Sequence, residues 1–215
     1  MLLFSYHKPR ALLPYALYIP PGKPPRGGWP LILFLHGSGE RGRDGRKQAT
    51  VGLGPALQEN PESWPAVVLM PQCPQDDQWL GKPLEQAYKL LAQVEETCKT
   101  NPRRVYLTGL SMGGYGCWNL ACLHPERFAA VAPICGAADP FWVWQRLSKV
   151  PIWNFHGAAD EVVPVSFSRA LADALAKAGN AQARFSEYPT EKHEVWNRVY
   201  REPSFIRWLF AQRRN

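Results

Sequence analysis

Apolar residues fall along this chain in short, continuous blocks separated by proline and glycine, with longer amphipathic stretches between the blocks. Leu31-Ile32-Leu33-Phe34-Leu35, Ala66–Met70, Val105–Thr108, Ala129–Ile134 and Ile152–Phe155 are apolar on consecutive positions, so both faces of each segment would be buried. That pattern suits strands of a parallel sheet covered by helices on both sides. Tyr15–Ile19, stopped by Pro20-Pro21-Gly22, and Ala183–Tyr188 are further candidate strands. Between them, Leu84–Thr100 places Ala87, Leu90, Leu91 and Val94 on one helical face. Met112–Leu123, Phe141–Leu147, Val165–Ala178 (followed by Gly179 as a C′ glycine) and Val195–Gln212 are the other predicted helices. Strands alternating with helices at this frequency indicate one α/β domain over residues 1–215, with a mainly parallel sheet. In such sheets the chemistry sits beyond the carboxyl ends of strands.

Ser111 meets that requirement. It follows Val105-Tyr106-Leu107-Thr108 and precedes the glycine-rich start of a helix, in Gly109-Leu110-Ser111-Met112-Gly113. A serine hydroxyl becomes a useful nucleophile when it is held exposed beside a base. A sharp strand-to-helix turn does this, and glycines two positions before and after it allow the backbone to turn tightly. The loop after Leu31–Leu35, His36-Gly37-Ser38-Gly39-Glu40-Arg41-Gly42, should reach the same end of the sheet. Acyl transfer needs two N–H groups aimed at the tetrahedral oxygen. Met112 would supply one and either Ser38 or Gly39 the other, while His36 is read as bracing the loop. The acid that orients a catalytic histidine is expected at Asp160, after Ile152–Phe155, with Asp139 as runner-up. His193 is the only histidine after Asp160 and is the expected base.

Composition removes other classes. The net charge of +7 is scattered, with its densest spots in the glycine-rich loop and at the C-terminal end, so no nucleic-acid partner is expected. No run of about 18 apolar residues is present, so no membrane span is expected. The chain is read as soluble, either cytoplasmic or secreted after removal of a signal peptide. The five cysteines are odd in number and lack metal-ligand spacing, so no metal site is expected; one disulfide involving Cys73 stays open.

The His36–Gly42 motif, Pro71-Gln72-Cys73-Pro74 with a later Trp79, the Ser111 motif, and His156-Gly157-Ala158-Ala159-Asp160 with Val163-Pro164 together resemble the compact carboxylesterase branch of the α/β-hydrolases. That branch includes phospholipase/carboxylesterase, dienelactone hydrolase-like and "predicted peptidase" groups. The resemblance spans roughly Leu31 to Trp208 and implies ester hydrolysis by a Ser111–His193–Asp160 triad, without metal or organic cofactor. A cysteine nucleophile, as in dienelactone hydrolases proper, is absent here, and amide hydrolysis is disfavoured. Only one short helix fits between Ile134 and Pro151, which leaves no room for a large cap and favours small, short-acyl esters. Trp79, Trp142, Trp144 and Trp196 are candidate pocket residues. Feruloyl or acetyl-carbohydrate esters are the alternative substrates, and a non-catalytic binding module is the rival from another class.

Overall fold

The computed structural model describes residues 3–214. Eight strands form one sheet: β1 (Ser5–His7), β2 (Tyr15–Tyr18), β3 (Trp29–Leu35), β4 (Val67–Pro71), β5 (Thr100–Leu110), β6 (Ala130–Ile134), β7 (Ile152–Gly157) and β8 (Ala183–Tyr188). Their spatial order is β1-β2-β4-β3-β5-β6-β7-β8. β1 and β2 pair antiparallel at one edge, and the remaining strands run parallel. Among the described residues seven α-helices flank the sheet: α1 (Leu53–Glu59), α2 (Gly81–Thr97), α3 (Met112–Leu123), α4 (Pro140–Arg146), α5 (Ser166–Lys177), α6 (Trp196–Val199) and α7 (Pro203–Ala211).

Alternation along the strands divides the core in two. On one face Leu31, Leu33, Leu35, Leu69, Leu107 and Val131 pack against apolar rows of α2, α3, α4 and α5. On the other face Ile32, Phe34, Val68, Met70, Tyr106 and Ile134 pack against α1, α6 and α7. Both faces are buried, which is why the strands read as unbroken apolar runs. α4 alone occupies the connection between β6 and β7, so no large cap stands over the sheet among the described residues. No helix among them is long and apolar enough to cross a membrane.

Two expectations need correction, and one helix was not anticipated. The predicted helix over Val195–Gln212 is two helices, because Pro203 starts α7 and holds Glu202 in extended backbone (φ −78°, ψ 118°). The helix predicted to reach Thr100 stops at Thr97; Lys99, at φ +49°, turns the chain so that Thr100 already pairs with Trp29. α1 has no clear helical signature in the sequence, since Gly54-Pro55 has the composition of a turn. Pro55 lies in its first turn, where no N–H is needed. Gly54 is required there, since a Cβ would lie 2.0 Å from the Ala49 carbonyl oxygen.

Candidate active site

β5 delivers Ser111 at the carboxyl edge of the sheet. The residue has φ +52° and ψ −119°, a conformation that costs a non-glycine residue about 1–3 kcal/mol. The surrounding elbow is packed backbone against backbone. A Cβ at Gly113 would lie 1.8 Å from the Leu35 carbonyl oxygen, and one at Gly109 would lie 2.6 Å from the same atom. Glycine at these positions therefore lets the turn sit against β3, and the hydroxyl is pushed up into the cleft.

Three side chains that are far apart in sequence meet here. His193 Nε2 lies 2.9 Å from Ser111 Oγ, and its Nδ1 lies 2.7 Å from Asp160 Oδ2. The Asp160 side chain is fully buried, and Oδ1 accepts the N–H groups of Val162 and Val163, each at 2.9 Å. Burial alone would raise its pKa. The His193 hydrogen bond and the two amides outweigh that effect and hold the carboxyl below the ordinary carboxylate value. Because the carboxylate only accepts, His193 carries its proton on Nδ1 and presents a free Nε2 lone pair to the Ser111 hydroxyl. Trp196 is buried edge-on against the imidazole, with ring centroids 5.1 Å apart, so it supports His193 rather than lining the cleft.

The loop after β3 approaches the same point. A Cβ at Gly37 would be 3.6 Å from the Ser111 Cβ. His36 is buried; its Nδ1 donates to the Gly37 carbonyl at 2.6 Å and its Nε2 accepts the Cys73 N–H at 2.9 Å. Burial lowers its pKa to about 4, and the nearby Arg41 charge acts in the same direction. The ring is therefore a neutral clamp between two loops. Trp79 adds to the clamp by donating its indole N–H to the His36 carbonyl at 2.9 Å.

A cleft of about 430 Å³ is lined by Ser38, Arg41, Gln78, Trp79, Leu80, Ser111, Met112, Tyr115 and Asn119. It shares Leu80 and Asn119 with a second trough of about 400 Å³ that contains Leu123, Ala138 and half-exposed Trp142. Trp144 lies elsewhere, in a depression formed with Pro140 and residues of α5. Residues two positions apart on a helix point about 200° apart, so Trp142 and Trp144 diverge. Asp139 caps α4 by accepting the Phe141 N–H, and the carboxylate bonded to His193 is that of Asp160. A larger depression of about 720 Å³ lies at the amino ends of β6 and β7, the opposite end of the sheet from Ser111. Among the described residues, Cys135, Asp160 and His193 are the cluster close enough to share a metal, with ligand atoms within 4.8 Å of one another. Their atoms are already engaged in protein hydrogen bonds, Cys135 Sγ with the His193 carbonyl at 3.5 Å. All five cysteines are free thiols, Cys73 included.

A family model described as "Putative esterase" matches residues 12–198. The chain belongs to this esterase family. It is 35% identical to a thermostable esterase of known structure, with a TM-score of 0.86 over 99% of this chain and 63% of that one. It thus spans less than two thirds of that esterase's length. It is 29% identical over 204 residues to "Poly(3-hydroxyoctanoate) depolymerase" of Pseudomonas fluorescens, covering 81% of this chain and 72% of that protein. With "Probable carboxylesterase Os04g0669600" of rice (Oryza sativa subsp. japonica) it shares 26% identity over 197 residues, 79% of this chain and 83% of that protein. These relations agree with the α/β-hydrolase architecture and the carboxylesterase resemblance of the motifs.

Within this esterase-family chain, sequence reasoning missed Tyr115, Asn119, Gln78 and Leu80 as cleft residues. For Tyr115 and Asn119 a signal existed, because they lie four and eight positions after Ser111 on one face of α3. Gln78 and Leu80 come from a loop without periodicity. His156, at the end of β7, is buried with its Nε2 3.1 Å from Asp160 Oδ2.

Proposed function

We propose that this esterase-family chain hydrolyses carboxylic esters through an acyl-enzyme intermediate, with Ser111 as nucleophile, His193 as general base and acid, and Asp160 as the orienting carboxylate. The observation that carries this reading is the continuous chain Ser111 Oγ–His193–Asp160, at 2.9 and 2.7 Å, on a serine held at positive φ. Oγ forms a bond to the ester carbonyl carbon as His193 Nε2 takes its proton. The carbonyl electron pair moves onto oxygen, returns as the C–O bond to the alcohol breaks, and the departing alkoxide receives the proton from His193. A water molecule then repeats the sequence on the acyl-enzyme, releasing the acid and restoring Ser111.

The oxyanion would lie between the N–H groups of Met112 and Ser38. Met112 opens α3, and first-turn amides have no intrahelical carbonyl partner. Ser38 is favoured over Gly39 because Ser38 lines the cleft with Ser111 and Met112, whereas Gly39 does not.

Short-acyl esters are the preferred substrates on this reading, since the cleft at Ser111 lies open and α4 alone stands between β6 and β7, with no large cap among the described residues to wall a long acyl chain. Aryl esters such as feruloyl compounds are the second reading, favoured by the half-exposed Trp142 in the adjoining trough. A panel of p-nitrophenyl acetate, butyrate and octanoate with methyl ferulate, run on wild type and Ser111→Ala, tests both. Turnover of acetate or butyrate that vanishes in Ser111→Ala supports the proposal. A preference for octanoate contradicts the substrate reading, and undiminished turnover in Ser111→Ala contradicts the mechanism.

A further inference from the structure

Two fully buried polar side chains behind Asp160, His156 at the end of β7 and Ser168 in α5, have no part in the mechanism just described. Buried polar groups of this kind are costly unless they are hydrogen-bonded, and here every polar atom has a partner. His156 Nε2 lies 2.8 Å from the Val163 carbonyl oxygen and 3.1 Å from Asp160 Oδ2. Its Nδ1 lies 2.7 Å from Ser168 Oγ.

The partners determine the tautomer. Two oxygens that only accept face Nε2, so Nε2 carries the proton; it donates to the Val163 carbonyl and lies beside Asp160 Oδ2. Nδ1 then presents a lone pair, and the Ser168 hydroxyl donates to it. The ring is neutral near pH 7, because burial lowers its pKa despite the opposing pull of the Val163 carbonyl and of Asp160. Asp160 thus receives three hydrogen bonds, two from amides on Oδ1 and one from His193 Nδ1–H on Oδ2, and His156 Nε2 stands 3.1 Å from Oδ2 as a further polar contact.

We infer that His156, held by Ser168, is a positioning residue that aims Asp160 Oδ2 at His193 and moderates the pull of its charge on the His193 proton. The inference rests on the catalytic reading of Ser111, His193 and Asp160. Without the His156 N–H beside it, Oδ2 is held less firmly in line with His193, and its less stabilised charge holds the protonated His193 more tightly. The first effect lowers kcat with little change in KM, and the second moves the acid limb of kcat/KM to higher pH. Other titratable groups facing this assembly stay out of that range. The Cys135 thiol and Tyr115 hydroxyl are both pushed up by burial, and Glu187 on β8 is held ionised by Arg169 of α5.

The test compares His156→Phe and His156→Gln, assayed on p-nitrophenyl butyrate from pH 4.5 to 9. Phenylalanine fills the space without a donor, and glutamine returns an amide N–H close to the position of Nε2. His156→Phe should lose on the order of tenfold in kcat, the scale of one charge-assisted hydrogen bond. Its KM should stay within about twofold, its acid limb should move up, and His156→Gln should restore the wild-type limb. An acid limb that stays in place or moves down, or a glutamine variant no better than phenylalanine, overturns the inference. If His156→Phe does not fold, Ser168→Ala serves instead, with a smaller upward movement expected and an unchanged limb counting against the inference. A Ser111→Ala variant in the same series separates the two claims, because its undiminished turnover would sink the catalytic reading itself.

Discussion

Lowering the pH from 7 to 4 should destabilise this fold mainly through His36, a residue outside the hydrogen-bonded chain of Ser111. Its ring is buried, with Nε2 accepting the Cys73 amide and Nδ1 donating to Gly37. Burial brings its pKa from 6.5 down to about 4. In the unfolded chain the imidazole titrates near 6.5, so the unfolded state takes up the proton first as pH falls. A folded pKa below the unfolded one gives stabilisation that is complete above pH 6.5 and is lost progressively as pH drops toward 4. The gap between those two values corresponds to about 3 kcal/mol. For a domain of this size each kcal/mol moves Tm by roughly 2–4 °C, so a fall of about 6–12 °C is expected. His156 adds to the loss in the same direction, since burial lowers its pKa too. Asp160 does not contribute in this window: its folded pKa lies below the ordinary carboxylate value, and its stabilisation is lost only at still lower pH. Differential scanning calorimetry of wild type and His36→Gln across pH 7 to 4 measures the effect. The glutamine variant should show a distinctly shallower decline. Equal slopes for the two proteins, or a wild-type Tm that does not change with pH, would refute the assignment of the titration to His36.

Gly113→Ala should cost more than about 3 kcal/mol or abolish soluble expression, because its Cβ would overlap the Leu35 backbone oxygen; thermal unfolding of the purified variant checks it. Tyr200→Phe removes a buried hydroxyl 3.0 Å from Thr108 Oγ1, which keeps its bond to the Ala132 carbonyl. A loss of about 1 kcal/mol in urea denaturation is expected. Trp142→Ala should leave kcat/KM for p-nitrophenyl acetate within about twofold and lower that for methyl ferulate by roughly fivefold, the scale of a lost aromatic contact. An equal loss on both substrates would place Trp142 outside the substrate path.

Most of the sheet was legible because both of its faces are buried, which leaves continuous apolar runs such as Leu31–Leu35 and Val105–Thr108 that no exposed element would carry. The edge strand Ser5–His7 escaped notice because it is three residues long and only partly buried. The elbow at Ser111 was readable since its turn demands glycine at fixed offsets, and the chain order of acid and histidine follows from the fold. The geometry joins Ser111, Asp160 and His193 as a hydrogen-bonded set. What could not be read depends on how loops meet. The contact of His156 with Asp160 requires the segment after β7 to fold back on itself, and the choice between Ser38 and Gly39 depends on which amide a short 3₁₀ turn directs into the cleft. The four tryptophans were equivalent in sequence but have different roles: Trp79 clamps His36, Trp196 supports His193, Trp142 borders the second trough and Trp144 faces away from it.

The central claim is that Ser111 is a nucleophile activated by His193. Incubation with a fluorophosphonate probe followed by peptide mass spectrometry tests it without knowledge of the natural ester. The account predicts one covalent adduct per chain on Ser111, formed at least a hundredfold more slowly in His193→Ala. A protein that stays unlabelled, or is labelled at a different serine, would contradict it.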